Sequence, residues 1–139
     1  MIDKTVLLVE DNPDEAELTV RLFRKREIAH LVVARDGQEA LDYVFRSGAH
    51  AGRDPGALPN VVLLDLKMPG VDGLEVLRRL REDALTKLIP VIILTSSKED
   101  EDLIRGYDLG TNMYIRKPVD PALFAEVVQQ TVDYWLVSA

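Results

Sequence analysis

Five short runs of β-branched and other apolar residues, separated by longer amphipathic stretches, restrict this chain more than any other feature. They are Thr5–Val9, His30–Ala34, Val61–Leu64, Val91–Thr95 and Met113–Ile115. The first, third and fourth are almost continuously apolar, with no alternation of polar and apolar positions. A strand can hide both faces in this way only when helices cover the sheet on each side.

The intervening stretches carry helix start signals. Asn12 predicts a first cap with Pro13 in the opening turn. Asp36, followed by Glu39, predicts a second helix with a capping box, burying Ala40, Leu41, Val44 and Phe45 and stopping at Gly48. Asp72 opens a third, burying Val76, Leu77 and Leu80. Ser97 opens a fourth, with Leu103, Ile104 and Tyr107 facing inward and Gly110 at its end. Asp120 and Pro121 open a fifth, whose apolar stripe is Phe124, Val127, Val128, Thr131 and Trp135.

Strand and helix thus alternate five times. Alternation of this kind predicts an α/β fold, a doubly wound parallel sheet with right-handed crossovers. Five units suit the flavodoxin-like strand order 2-1-3-4-5. The stretch Ser47–Pro59, rich in Gly, Ala and Pro, reads as a surface insertion and not as a linker. All 139 residues are therefore expected to form one domain, and the 47% of apolar residues suffice for its core.

Charge and cysteine usage exclude several functions. A net charge of −7 argues against nucleic acid as a direct partner. The densest basic run, Arg78, Arg79 and Arg81, shares its predicted helix with Glu75, Glu82 and Asp83 and reads as a solvated face. With no cysteine, disulfides, thiolate metal sites and cysteine nucleophiles are ruled out. No apolar run approaches the ~20 residues that span a bilayer. Met1 to Lys4 lead directly into a strand without a signal peptide, so a cytoplasmic location is expected.

In a sheet of this order, ligands sit at the carboxyl ends of the strands, at the switch point between the first and third. The first strand ends in Glu10 and Asp11, the third in Asp65, the fourth in Thr95 and Ser96, and the fifth leads to Lys117 and Pro118. Convergent carboxylates repel one another unless something neutralises them, and oxygen ligands of this kind suit Mg²⁺. Asp65 then keeps one oxygen free to attack phosphorus, with Thr95 and Lys117 placed to stabilise the transferring phosphoryl oxygens. Alone, Asp11 would read as a helix-capping acid and Lys117 as a surface lysine. Together, correct residue types at separately predicted strand ends point to phosphoryl chemistry.

Four stretches carry a family likeness: Val6–Pro13 (VLLVEDNP), Leu63–Gly73 (LLDLKMPGVDG), Val91–Ser96 (VIILTS) and Tyr114–Pro118 (YIRKP). In order and spacing the sequence resembles the receiver domains of two-component response regulators, the family that includes the bacterial chemotaxis response regulator. The resemblance implies that Asp65 is the phosphoacceptor and Asp11 a direct Mg²⁺ ligand. It further implies Glu10 as a second acid acting through water, and the Lys67 carbonyl as another ligand. Thr95 and Tyr114 match the family's switch pair and Lys117 its phosphate-binding lysine, with a cis Lys117–Pro118 bond. In that family the positions two residues after the acceptor and two after the switch threonine tune dephosphorylation; here they hold Lys67 and Ser97, neither of which positions an attacking water well, so the resemblance does not imply rapid self-hydrolysis.

The Asn12-Pro13-Asp14 opening, the Ser47–Pro59 insertion and the Tyr134-Trp135-Leu136 ending resemble the small regulators paired with bacterial phytochromes. A sensor histidine kinase is thus the implied donor, and the narrower likeness points to a bacterial phytochrome. With the fifth helix close to the last residue, no output domain is expected. The signal would leave through a partner protein, or pass onward to a histidine phosphotransfer protein. The face formed by the predicted fourth helix, fifth strand and fifth helix is the expected readout surface. Tyr134 to Val137 supply more apolar surface than one helix face buries, which points either to a homodimer or to Trp135 and Leu136 sealing the monomer's own core.

Rival functions fit less well. Dehalogenase-like phosphatases also use Asp, Lys and a metal, but carry a second Asp two residues after the nucleophile, where this chain has Lys67. A flavin or nucleotide module would need a Gly-rich phosphate loop after the first strand. An intact acid pocket argues against a docking-only pseudo-receiver. The chain is therefore not expected to be an enzyme beyond its own phosphorylation and dephosphorylation. His30 and His50 are isolated, Met68 and Met113 read as packing residues, and Asp100 to Asp102 as the solvated first turn of a helix.

Overall fold

The apolar runs become strands because a continuous β-branched stretch gains most from burial on both sides. The computed structural model describes residues 4–27, 29–46, 58–66, 68, 70–95, 110–111, 113–116 and 121–138. The strands are β1 (Thr5–Val9), β2 (His30–Ala34), β3 (Val61–Asp65), β4 (Val91–Thr95) and β5 (Met113–Arg116). All neighbours pair in parallel, in the predicted order β2-β1-β3-β4-β5. β3 and β5 each run one residue beyond the apolar pattern, taking in Asp65 and Arg116. β1 beyond Thr5, and all of β3, are buried, whereas edge strand β2 has an exposed His30 and half-buried Leu31, Val32 and Val33.

Three of the helix caps stand where the sequence predicts them. Asn12 Oδ1 accepts from the backbone N–H groups of Asp14 (2.9 Å) and Glu15 (3.2 Å), opening α1 (Pro13–Arg26). Asp36 accepts from Glu39 N–H at 2.7 Å to open α2 (Gly37–Phe45). The Glu39 carboxylate reaches back to Arg35 N–H at 3.2 Å, one residue beyond the expected capping-box partner. Asp72 accepts from Glu75 N–H at 3.0 Å and opens α3 (Gly73–Glu82). α2 ends earlier than predicted, because Arg46 takes the left-handed conformation (φ 55°) that the sequence assigns to Gly48. Gly48 itself lies outside the described residues, as does most of Ser47–Pro59; of that stretch, Leu58 packs against the core.

The last described helix, α4 (Pro121–Ser138), is the fifth of the predicted ones. The predicted fourth, from Ser97 to Gly110, lies outside the described residues apart from Gly110, and Asp120 does too. α4 buries Phe124, Val128, Val132 and Leu136, one residue in every four. The predicted stripe is therefore displaced: Val127, Thr131 and Trp135 are half-buried flanks, and Val132 and Leu136 belong to the centre. A helix laid along a sheet buries a straight ridge of side chains four apart.

Alternate strand residues feed two cores. Leu7, Val9, Val62, Leu64 and Ile93 pack with α2 and α3, whereas Val6, Leu8, Leu63, Ile92 and Leu94 pack with α1 and α4. Met68 joins the first core as expected. Among the described residues, no helix is long and apolar enough to cross a membrane.

Candidate functional site

Parallel pairing brings the strand ends to one rim. Val9 stands opposite Ala34 and Leu64, Asp65 opposite Leu94, and Thr95 opposite Arg116. The chain changes direction here, since β1 is flanked by β2 on one side and β3 on the other. Such a switch point opens a crevice beyond the strand ends.

Two carboxylates are buried in that crevice. Glu10, directly after β1, donates its N–H to the Ala34 carbonyl at 3.0 Å, which extends the strand pairing by one step. Its Oε2 accepts from Asn12 N–H at 3.3 Å. Asp65 is the last residue of β3. Both are nearly inaccessible, at 2% and 5% exposure. A third acid, the half-buried Glu15 from the first turn of α1, joins them. One carboxylate oxygen from each of Glu10, Glu15 and Asp65 lies within 4.8 Å of the others.

The remaining predicted residues are placed differently. Asp11 is exposed in the bend between β1 and α1 and stands outside this three-acid group. Thr95 ends β4 and Tyr114 lies in β5 beside Ile93, with the description of both extending only to the backbone. Lys67, Lys117 and Pro118 lie outside the described residues.

Glu15 is missing from the sequence-predicted set. The signal that marks it is its place three residues after the Asn12 cap. Helical side chains tilt toward the N-terminus, so an acid there is carried back over the strand ends.

The loop after β3 is set by glycine contacts. A Cβ on Gly73 would stand 2.2 Å from the Asp65 carbonyl oxygen, and one on Gly37 would stand 2.0 Å from the Val71 carbonyl oxygen. Gly73 N–H also donates to the Leu66 carbonyl at 3.1 Å. The start of α3 is thereby held against the backbone of Asp65.

Chemically the pocket offers hard oxygen donors, with no thiolate and no imidazole among its grouped ligand atoms. That donor set fits a hard divalent cation such as Mg²⁺ or Mn²⁺.

The family described as the response regulator receiver domain matches residues 6–129. The probable methanogenesis regulatory protein FilR2 of Methanothrix harundinacea (strain 6Ac) is 40% identical over 132 residues, covering 94% of this chain and 83% of that protein. The response regulator Rcp1 of Synechocystis sp. (strain ATCC 27184 / PCC 6803 / Kazusa) is 34% identical over 134 residues, covering 96% of this chain and 89% of Rcp1. Among solved structures, the phosphorylated cyanobacterial phytochrome response regulator RcpA superposes with a TM-score of 0.89 at 34% identity, covering 98% of this chain and 96% of RcpA. The Mn(2+)-bound form of Rcp1 superposes with a TM-score of 0.87 at 32% identity, covering 98% of this chain and 96% of that one.

Proposed function

Because the chain belongs to the receiver domain family of two-component response regulators, we propose that it takes a phosphoryl group from a sensor histidine kinase onto Asp65. One observation carries this assignment to a residue. Asp65 is a carboxylate buried at the carboxyl end of the central strand, at the switch point and beside Glu10.

In this reading Asp11, Asp65 and the Lys67 carbonyl would hold Mg²⁺, with Glu10 as a second acid acting through water. Bound there, the ion supplies positive charge that offsets the oxygens of the arriving phosphoryl group. An Asp65 oxygen bonds to phosphorus as the phosphorus–nitrogen bond to the kinase imidazole breaks. The Thr95 hydroxyl and the Lys117 ammonium stabilise the phosphoryl oxygens in transit. The aspartyl phosphate adds roughly −1.5 to −2 charges to the rim. Thr95 turns toward it, Tyr114 fills the space released, and the surface of β5, α4 and the predicted fourth helix is remodelled.

Similarity to the cyanobacterial phytochrome response regulator RcpA favours a phytochrome as the kinase. We further assign the chain to the cytoplasm, as a single receiver domain that acts through a protein contact and turns over no external substrate.

The direct test is acid-labile labelling by acetyl phosphate or a sensor kinase. Asp65→Asn is expected to abolish the label while circular dichroism stays native. Undiminished labelling of that variant overturns the assignment.

A further inference from the structure

Glu15 belongs to none of the roles assigned above, yet its carboxylate shares the pocket with Glu10 and Asp65. We propose that Glu15 tunes the pocket's affinity for divalent cations by adding a third convergent negative charge. The inference rests on the phosphoacceptor reading of Asp65 and deepens it.

Three observations lead to this role. The backbone of Glu15 is fixed, because its N–H donates to the Asn12 cap at 3.2 Å and Pro13 stiffens the same turn. Its side chain is half-buried, and an oxygen of it lies within 4.8 Å of oxygens from both Glu10 and Asp65. Finally, the two acids it joins, Glu10 and Asp65, are almost fully buried, where water screens like charges poorly. Carboxylates gathered in such a place repel one another, and a divalent cation is the species that relieves all of them at once. The number of charged ligands is a main determinant of how tightly such sites bind their ion.

The ordinary role of an acid in the first turn of a helix is to face the positive end of the macrodipole, which stabilises the fold. Asp14, one residue earlier and exposed, supplies the matched control, because it has the dipole role without the pocket. The two roles predict opposite signs. Removing a dipole partner lowers the melting temperature, whereas removing a repelling charge from the acid pocket raises it in the absence of divalent ions.

The experiment is thermal melting of the full chain in EDTA and in titrations of MgCl2 and MnCl2. Wild type, Glu15→Gln, Asp14→Asn and Asp11→Asn are compared. Wild type is expected to gain stability with either ion, and Asp11→Asn to lose that gain. Glu15→Gln is expected to melt higher than wild type in EDTA and to need roughly tenfold more cation for the same shift, since ligand charge count tunes such sites over decades. Asp14→Asn should melt slightly lower, with unchanged cation dependence. If Glu15→Gln instead behaves as Asp14→Asn does while wild type still responds to cation, the Glu15 role is wrong and the metal reading stands. A wild type that ignores both ions overturns the two together.

Discussion

Gly73 leaves no room for a side chain where α3 meets Asp65, the proposed phosphoacceptor. A Cβ at this position would stand 2.2 Å from the Asp65 carbonyl oxygen and 2.7 Å from the Leu66 Cα, both backbone atoms that cannot swing aside. Gly73→Ala must therefore push the start of α3 away from β3. Forcing extra volume into a packed site of this kind costs about 1–3 kcal/mol. The variant should show a lower denaturant midpoint together with weaker labelling of Asp65 by acetyl phosphate. Full labelling at wild-type stability would mean that the loop accommodates the methyl group. Asp65 and Glu10 were legible at this scale because each is the first acid after a fully apolar run, so strand pairing alone carries them to the rim. Glu15 was not legible, since an acid in a first helical turn is commonplace. Only the tilt of its side chain and the burial around it distinguish it from Asp14.

At the scale of the element, the cap residues located three helix starts, whereas the facing of α4 and the end of α2 escaped the sequence. A start is a local hydrogen bond between a side chain and nearby N–H groups, written within four residues. Facing is a choice among several apolar rows, settled by the sheet the helix lies on. In α4 the choice falls on Phe124, Val128, Val132 and Leu136, and the carbonyl of Leu136 accepts from Lys4 Nζ at 2.8 Å. The apolar ending of the chain therefore divides, with Leu136 sealing the core and Tyr134 64% exposed. Truncating Leu136 to Ala should cost about 2–5 kcal/mol. Tyr134→Ala should stay within about 0.5 kcal/mol. Urea unfolding of the two variants checks the division, and equal losses would contradict it.

The basic run on α3 divides in the same manner. Arg78 behaves as the sequence predicts, pairing in the open with Glu75 and, at 2.6 Å, with Glu82. Its hydrogen bond holds the Glu75 carboxyl below its usual range. Arg81 departs from the solvated-face expectation. It is half-buried and donates to the carbonyls of Gly110 (2.8 Å), Lys87 (3.1 Å) and Ile89 (2.9 Å), tying the end of α3 to the segments entering β4 and β5. Burial lowers its pKa, opposite in direction to Arg78. Three arginines in four residues are alike in sequence, and only the loops they meet tell them apart.

For the whole molecule, the central and edge strands were legible because the nearly continuous apolar runs of β1, β3 and β4 must be central, whereas β2 and β5, which carry His30 and Tyr114, must be edges. Order in turn places input and output. In the proposed mechanism phosphoryl transfer takes place at the rim of β1 and β3, whereas β5 is the far edge strand and α4 packs over β3 beside α1. Ile115 of β5 shares a core with Phe124, Val128, Val132 and Leu136 of α4, so a signal crossing from Asp65 through β4 to β5 would reach this helix. There Leu123 is 50% exposed and Tyr134 64% exposed. These two are eleven residues apart, about three helical turns, and so share one face. We propose these exposed apolar groups, aligned along one helix, as a contact surface, for which a second copy of the same chain presents the complementary stripe by symmetry. Self-association is accordingly expected to rise when Asp65 is charged with beryllofluoride. Sedimentation of wild type and of a Leu123→Ala, Tyr134→Ala double variant, with and without beryllofluoride and Mg²⁺, measures this. Wild type should shift toward dimer on activation while the double variant, still able to take the label, stays monomeric. Monomers under every condition would exclude self-association and leave this face to a foreign partner.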